Sequence, residues 1–357
     1  MIRGLWWKLL AVALMVYVFV AGMLVPLKPG VEAASPGQLV AGAEGVVSVR
    51  GYNTRFDDLP AGSPPRAWLK LASEGEDEDA VLALEADDVT VRSARELDLR
   101  FRVPARLPAG ALNNRASLII DDPLDGAFVL PEAVRIAESA TLTGPPAPGA
   151  WTDAVADLHA TSGMTYPYRG LLGETIRNQY FHVSLWFALM LLMLAAAIYA
   201  GRYLRSGDPE HDRRSVALTQ AGLVFGFLGL LTGMLWANYT WGKPWSGDVK
   251  QNMTAIALLI YAAYFVLRGS LPGEQQQARV GAAYNLFAFA MLIPLLYVIP
   301  RMRDSLHPGA GGNPGFGGED LDNTMRMVFY PGIIGFTLLG LWIAQLSWRV
   351  QRLRSRD

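Results

Sequence analysis

"VFGFLGLLTGMLWANYTWGKPWSGDVKQNMTAIALLIYAAYFVL", residues 224–267, joins two apolar runs through a short polar and aromatic stretch. That interruption, residues 238–249, holds two tryptophans, two glycines, a lysine and an aspartate. About 20 apolar residues in helical conformation cross the roughly 30 Å hydrocarbon core of a bilayer. The stretch therefore reads as two membrane helices joined by an interfacial loop. Tryptophan belongs at such a depth, because its ring is apolar and its N–H is polar.

The pattern recurs along the chain. Apolar runs cover about 9–27, 180–199, 216–236, 252–267, 280–298 and 327–346. The fourth is short, but Val249 and Gly269 extend it toward both interfaces. These runs predict an α-helical integral membrane protein of about six transmembrane helices.

Charge separates a second region. Residues 28–180 carry 22 acidic and 14 basic residues, a net of −8, whereas the remainder carries 10 acidic and 17 basic, a net of +7. Polar sequence of this length between apolar runs reads as a water-exposed domain inserted after the first helix. Short basic loops stay cytoplasmic. Arg3 and Lys8, then Arg202, Arg205, Arg213 and Arg214, then Arg268 and Arg279, then the arginines of the tail all fall on one side if six helices alternate. Both termini are then expected in the cytoplasm, with the acidic region, the tryptophan-rich loop and residues 300–326 outside. A multi-pass position in a bacterial inner membrane is expected. The small residues of "VEAAS", 31–35, resemble a signal-cleavage region. The first run is longer than a usual signal core, which favours an uncleaved anchor.

The inserted region reads as β structure. "LDLRFRV", 97–103, alternates apolar and charged residues with the period of a half-buried strand. Further strands are expected at 45–52, 80–85, 89–92, 116–121 and 127–131, bounded by Pro, Gly and Asp. An extracytoplasmic all-β sandwich-like domain over 28–150 follows, closed by "TGPPAPGA", 143–150. The expected organisation is an anchor at 1–27, this domain, a linker at 151–179, a five-helix membrane domain at 180–348 and a basic tail at 349–357. The acidic run "EGEDED", 74–79, lacks the ordered spacing of a calcium loop and reads as a solvated turn. "GAGGNPGFGGED", 309–320, has no strand-to-helix context for a phosphate loop and reads as an external loop. Gly222, Gly226, Gly229 and Gly233 predict close helix packing.

Chemistry is expected at the histidines. The chain contains no cysteine, so it can form neither a disulfide nor a thioether bond to heme. Of its four histidines, His211 lies in a basic loop and reads as solvated, and His159 has no obvious partner. His182 in "RNQYFHVSLWF" and His307 in "PRMRDSLHPGA" fall at the external ends of two spans, beside the tryptophan-rich loop. Imidazole suits iron, zinc or copper, but zinc normally takes further ligands. Heme iron takes one or two axial ligands, its plane can lie against indole rings, and its propionates call for cations. Arg177, Lys243, Lys250, Arg301 and Arg303 are near in sequence. The expected cofactor is non-covalent heme b.

"TWGKPWSGD" resembles the tryptophan-rich signature W-G-x-x-W-x-W-D of the heme-handling membrane proteins of cytochrome c biogenesis. "VFGFLGLLTGMLWA" precedes the loop as in the heme exporter protein C family, "YFHV" begins the preceding span, and "LHP" lies in the last external loop. The resemblance covers about 177–348. It implies that His182 and His307 are axial ligands of externally bound heme, and that Trp241, Gly242, Trp245 and Asp248 belong to a heme-cradling loop. Arg177 and Lys250 stand where the family has arginines, so they join Arg301 and Arg303 as propionate partners. Gly247 stands where the signature has its third tryptophan, which removes one stacking surface.

The resemblance implies a cytochrome c maturation factor that presents heme for transfer to a periplasmic heme chaperone, with other maturation components as partners. Transfer by ligand exchange breaks no bond of the porphyrin, so no enzyme activity and no catalytic residue are expected. An attachment subunit of the synthetase type is the near alternative, although that branch has further histidines within its helices. A permease or structural subunit is the alternative of another class. The spans hold few strongly polar residues, Gln220, Asn285 and Gln345 among them, which disfavours a pump. Lipid is an expected contact and nucleic acid is not.

Overall fold

The computed structural model describes residues 4–59, 63–73, 82–108, 110–137, 151, 155–160, 163–170, 172–307 and 321–354. The stretches 74–79, 143–150 and 309–320 singled out in the sequence lie outside these. The chain divides into two compact units, one formed by Met1–Val25 with Glu174–Asp357 and the other by Pro26–Gly173.

The first unit is helical. Its helices are α1 (Trp6–Leu24), α2 (Asn178–Ser206), α3 (Pro209–Trp241), α4 (Val249–Ser270), α5 (Glu274–Ile293) and α6 (Asn323–Arg354). All six are long and apolar enough to cross a membrane. Local chemistry sets their ends. Gly207 stops α2 in the left-handed conformation, at φ 69°. Asp208 then caps α3 by accepting the Glu210 N–H at 2.9 Å, with Pro209 in the first turn. The fifth run leaves α geometry at Pro294, which has no N–H to donate, and continues as a π turn (Pro294–Val298) and a 3-10 turn (Ile299–Arg301).

Helix α2 packs along the glycines of α3. A methyl group at Gly222 would stand 2.8 Å from Met193, and one at Gly226 2.8 Å from Leu189. Two more such glycines seat the functional side chains described below. Buried polar groups tie the helices together. Asn285 Nδ2 donates to Thr219 Oγ1 at 2.7 Å, and Ser215 Oγ donates to the Ala196 carbonyl at 2.9 Å. Arg268 is paired with the buried Asp212 through bonds of 2.8 and 2.5 Å and also reaches the Gln277 carbonyl, which joins α3, α4 and the start of α5. An ionic group in such an interior persists only when paired in this way. His211 is not simply solvated, because its ring packs on Tyr199 at 5.8 Å between centroids.

The second unit is a sandwich of two sheets. Its strands are β1 (Gly30–Ser35), β2 (Gln38–Val40), β3 (Glu44–Tyr52), β4 (Arg66–Ser73), β5 (Ala83–Glu85), β6 (Asp88–Ser93), β7 (Glu96–Arg102), β8 (Ala111–Asp122) and β9 (Gly126–Ala137). One sheet has the order β1-β3-β7-β6 and the other β2-β9-β8-β4-β5. Pairing is antiparallel except between β2 and β9, which run parallel. Val47, Val49, Leu97, Leu99 and Phe101 of the first sheet meet Leu69, Leu118, Ile120 and Ile136 of the second in one buried core. The unit continues past residue 150 to Gly173. Trp151 is buried in the core, Tyr166 exchanges backbone hydrogen bonds with Pro26 and Lys28, and Tyr168 stacks on Tyr52 at 4.6 Å. The described residues Trp151, Tyr166 and Tyr168 therefore pack with the sandwich. His159 does have a partner. Its backbone N–H donates to Asp121 Oδ1 at 2.7 Å, and its Nδ1 lies 2.9 Å from Oδ2.

Candidate functional site

His182 and His307 lie far apart in the sequence and meet at one cavity, with ring centroids 6.3 Å apart and planes inclined at 37°. His182 lies in the second turn of α2. A methyl group at Gly233 would stand 2.8 Å from its Cε1, so only glycine leaves the ring its seat on α3. Four residues along α2, Trp186 occupies the equivalent seat over Gly229 and contacts the His182 ring edge-on at 6.1 Å. His182 Nδ1 is 3.0 Å from Thr232 Oγ1. The threonine hydroxyl donates to the Leu228 and Gly229 carbonyls, so its oxygen faces the ring as an acceptor. This fixes the proton on Nδ1 and leaves Nε2 with a lone pair.

His307 is carried by an irregular segment after the 3-10 turn, and Asp248 holds that segment in place. The aspartate caps α4 through the Lys250 N–H at 2.8 Å. Its carboxylate also accepts from Ser305 Oγ at 2.9 Å and from the Leu306 N–H at 2.8 Å. The His307 N–H in turn donates to Ser305 Oγ at 3.1 Å. The loop before α4 is pinned by the same helix. Gln251 Oε1 accepts from the Ser246 N–H at 2.9 Å, and Asn252 Nδ2 donates to the Gly247 carbonyl at 2.9 Å.

Aromatic rings close the cavity around the imidazoles. Trp236 contacts His307 at 6.2 Å and Trp241 at 5.2 Å. Both tryptophans belong to α3, which runs to Trp241 before Gly242 ends it at φ 75°. The interruption read as a loop thus begins as helix, because nothing before Gly242 stops it. Two cations, Lys250 and Arg301, also line the cavity, and no acidic residue does so among the described residues. Lys250 Nζ is 3.3 Å from His307 Nδ1, and Arg301 donates to the Tyr297 carbonyl at 3.1 Å. The hollow, counted together with the open solvent at its mouth, takes in about 1070 Å³.

Of the residues expected to act together, His182, His307, Trp241, Lys250 and Arg301 line this cavity. The others are placed differently. Arg177 is buried and spends its guanidinium on the Gly22 and Val25 carbonyls at the end of α1, and on Glu174. Gly242 is a helix terminator, Trp245 is 37% exposed and is not among the described lining residues, and Asp248 acts through the 305–306 segment. Arg303 lines a separate hollow beside Gly247 and Asp248. Gly247 has φ 78°, a conformation that tryptophan adopts only with strain, so the third signature tryptophan has no ready place on this backbone. Sequence reading missed Trp186, Trp236, Thr232 and Tyr297. Trp186 was legible as the residue one turn after His182 on the same helix face, whereas Thr232 carried no signal.

Comparison with known proteins gives the same region. Residues 173–307 match the family described as Cytochrome C assembly protein. The chain is 43% identical over 82 residues to the cytochrome c biogenesis protein CcsA of Prochlorococcus marinus subsp. pastoris, covering 23% of this chain and 26% of that protein. It is 39% identical over 57 residues to CcsA of Thermosynechococcus vestitus, covering 16% and 18% of the two chains. It is 22% identical over 182 residues to heme exporter protein C of Haemophilus influenzae, covering 51% and 73%. The match spans about a quarter of the length of the Prochlorococcus CcsA proteins. Residues 173–307, which carry both imidazoles and the tryptophan-rich stretch, are thus similar to the cytochrome c assembly proteins, in a chain with six helices long and apolar enough to cross a membrane.

Proposed function

We propose that the protein holds heme b between His182 and His307 and presents it, on the outer face of a bacterial inner membrane, for transfer to a heme chaperone during cytochrome c maturation. The observation that carries this reading is the spacing of the two imidazoles. A metal bound to one nitrogen of each ring at about 2 Å sets the ring centroids about 6 Å apart, against the 6.3 Å found. The rest of the lining suits a flat, apolar dianion. Trp186, Trp236 and Trp241 offer ring surface, and Lys250 and Arg301 offer positive charge with no competing acid among the described lining residues.

Heme, when bound, supplies the iron centre that the two imidazoles ligate. The chain supplies the ligands, a fixed tautomer at His182 and the partners of the propionates. A carrier needs nothing more, so the role is non-enzymatic. Positive charge at the ends of α2, α3, α4, α5 and α6 that lie opposite the cavity supports a cytoplasmic position for those ends. Direct heme attachment is the second reading, favoured by the higher local identity to CcsA. It calls for a further helix-borne ligand near the site, and His211 lies 22 residues before Gly233 on α3, about 30 Å away along the helix.

The test is complementation. In a strain lacking the protein, the native chain restores holocytochrome c and the His182→Ala, His307→Ala double variant does not. Full restoration by an equally abundant double variant would sink the proposal.

A further inference from the structure

The two imidazoles are not presented alike. At His182 the threonine hydroxyl accepts from Nδ1, which leaves the Nε2 lone pair available. At His307 the neighbour of Nδ1 is Lys250 Nζ, at 3.3 Å. An ammonium only donates, so here Nδ1 is the acceptor and the ring proton sits on Nε2. One nitrogen of His307 is covered by the lysine and the other carries the proton. His182 is a prepared ligand, and His307 is a latched one.

We infer that Lys250 is a latch on His307 that a carboxylate of the incoming ligand releases. This rests on the heme reading of the cavity and adds an order to it: His182 engages first and His307 second. The surroundings of Lys250 make the release possible. Asp248, the nearest acid to it in sequence, has its carboxylate committed to the Lys250 N–H, Ser305 and Leu306. Arg301 faces the same space as a second cation. A carboxylate that enters beside Lys250 and Arg301 meets two cations and no competing acid in the described lining, and draws Nζ away from the ring. The His307 proton then moves from Nε2 to Nδ1, with no net gain or loss, and the Nε2 lone pair becomes available. Lys250 keeps its charge throughout. When the ligand and its carboxylate leave, the ring proton moves back from Nδ1 to Nε2 and Lys250 donates to Nδ1 again, which restores the latch. Lys250 is on this account a positioning residue that couples recognition of the ligand's acid groups to closure of the site.

Hemin and hemin dimethyl ester, whose propionates are blocked, separate the latch from a simple anchor. The purified full chain in detergent is titrated with each, and the absorption spectrum reports one-imidazole or two-imidazole ligation. The native protein is expected to give the two-imidazole spectrum with hemin and the one-imidazole spectrum with the ester. Lys250→Met and Lys250→Gln, each checked for native helix content by circular dichroism, should give the two-imidazole spectrum with both. Lys250→Arg keeps a cation that can only donate, whereas the glutamine amide can also accept from Nδ1, so the arginine variant should behave as the native chain. A two-imidazole spectrum with the ester in the native protein, or a one-imidazole spectrum with the ester in both neutral variants, would overturn the latch while leaving the heme reading intact. Failure of the native protein to bind hemin at all would overturn both.

Discussion

Gly233 and His182 touch so closely that a methyl group on the glycine would stand 2.8 Å from the imidazole Cε1. The helix pairing that buries α2 against α3 is thus the same contact that aims the ring. Gly233→Ala must push the imidazole or part the helices, at a cost of about 1–3 kcal/mol. Hemin affinity should fall by roughly ten- to hundredfold. Gly269, with nothing within 4 Å of its Cβ position, supplies the control. Gly269→Ala should leave hemin titrations unchanged.

Thr232 determines which nitrogen of His182 is offered. Thr232→Val keeps the shape and removes the acceptor at 3.0 Å, so the ring populates both tautomers. Metal affinity usually drops about 10–100-fold when such a partner is lost. Hemin titration should show that loss, and Thr232→Ser should recover most of it.

Asp248 joins the first turn of α4 to the segment that carries His307. In Asp248→Ala the cap is lost, at about 1 kcal/mol, and the Leu306 N–H and Ser305 lose their acceptor. The expected spectrum with hemin shifts from two-imidazole toward one-imidazole ligation. Asparagine caps as well as aspartate, so Asp248→Asn should shift less. An unchanged spectrum in the alanine variant would show that His307 is placed by other contacts.

The sandwich contains adjacent carboxylates of opposite character. Burial pushes Asp121 up, but the Arg66 guanidinium and the N–H groups of His159 outweigh it and hold the acid below its usual range. Its stabilising contribution is present above the ordinary carboxylate value and is lost as pH falls through the depressed one. Burial raises Asp122, which among the described residues accepts only the Leu124 and Asp125 N–H groups, through Oδ1. Its contribution has the reverse sign and is lost as pH rises through the elevated value. Hydrogen exchange in β8 should therefore show Asp121→Asn weakening the sheet at neutral pH and flattening its acid transition. Asp122→Asn, which can keep the Oδ1 bonds, should strengthen it at neutral pH.

Much of this architecture is written in simple patterns. Residues 224–267 reveal two helices because hydropathy alone decides membrane spans, and 97–103 reveals a strand because one face is wet. "RAWLKLAS", now β4, escaped because Trp68 packs with Ala83 and Ile119 on one face while Leu69 and Leu71 enter the main core on the other, which erases the period of two. "VEAAS" escaped because its small residues also suit a cleavage region, yet it pairs with β3. At the cavity, the imidazoles and Trp241 were legible by residue type. The roles of Asp248 and Arg177 were not, since a carboxylate that caps and a guanidinium that binds carbonyls look in sequence like any other charge near a ligand. Thr232 depends wholly on the register of α2 against α3, which no local pattern encodes.

The most direct test of the central claim is the absorption spectrum of the protein purified in mild detergent from heme-replete cells. A Soret band is predicted for the native chain, with altered ligation in His182→Ala and His307→Ala and loss of the band in the double variant. A colourless native protein, or a band that survives unchanged in the double variant, would contradict the account.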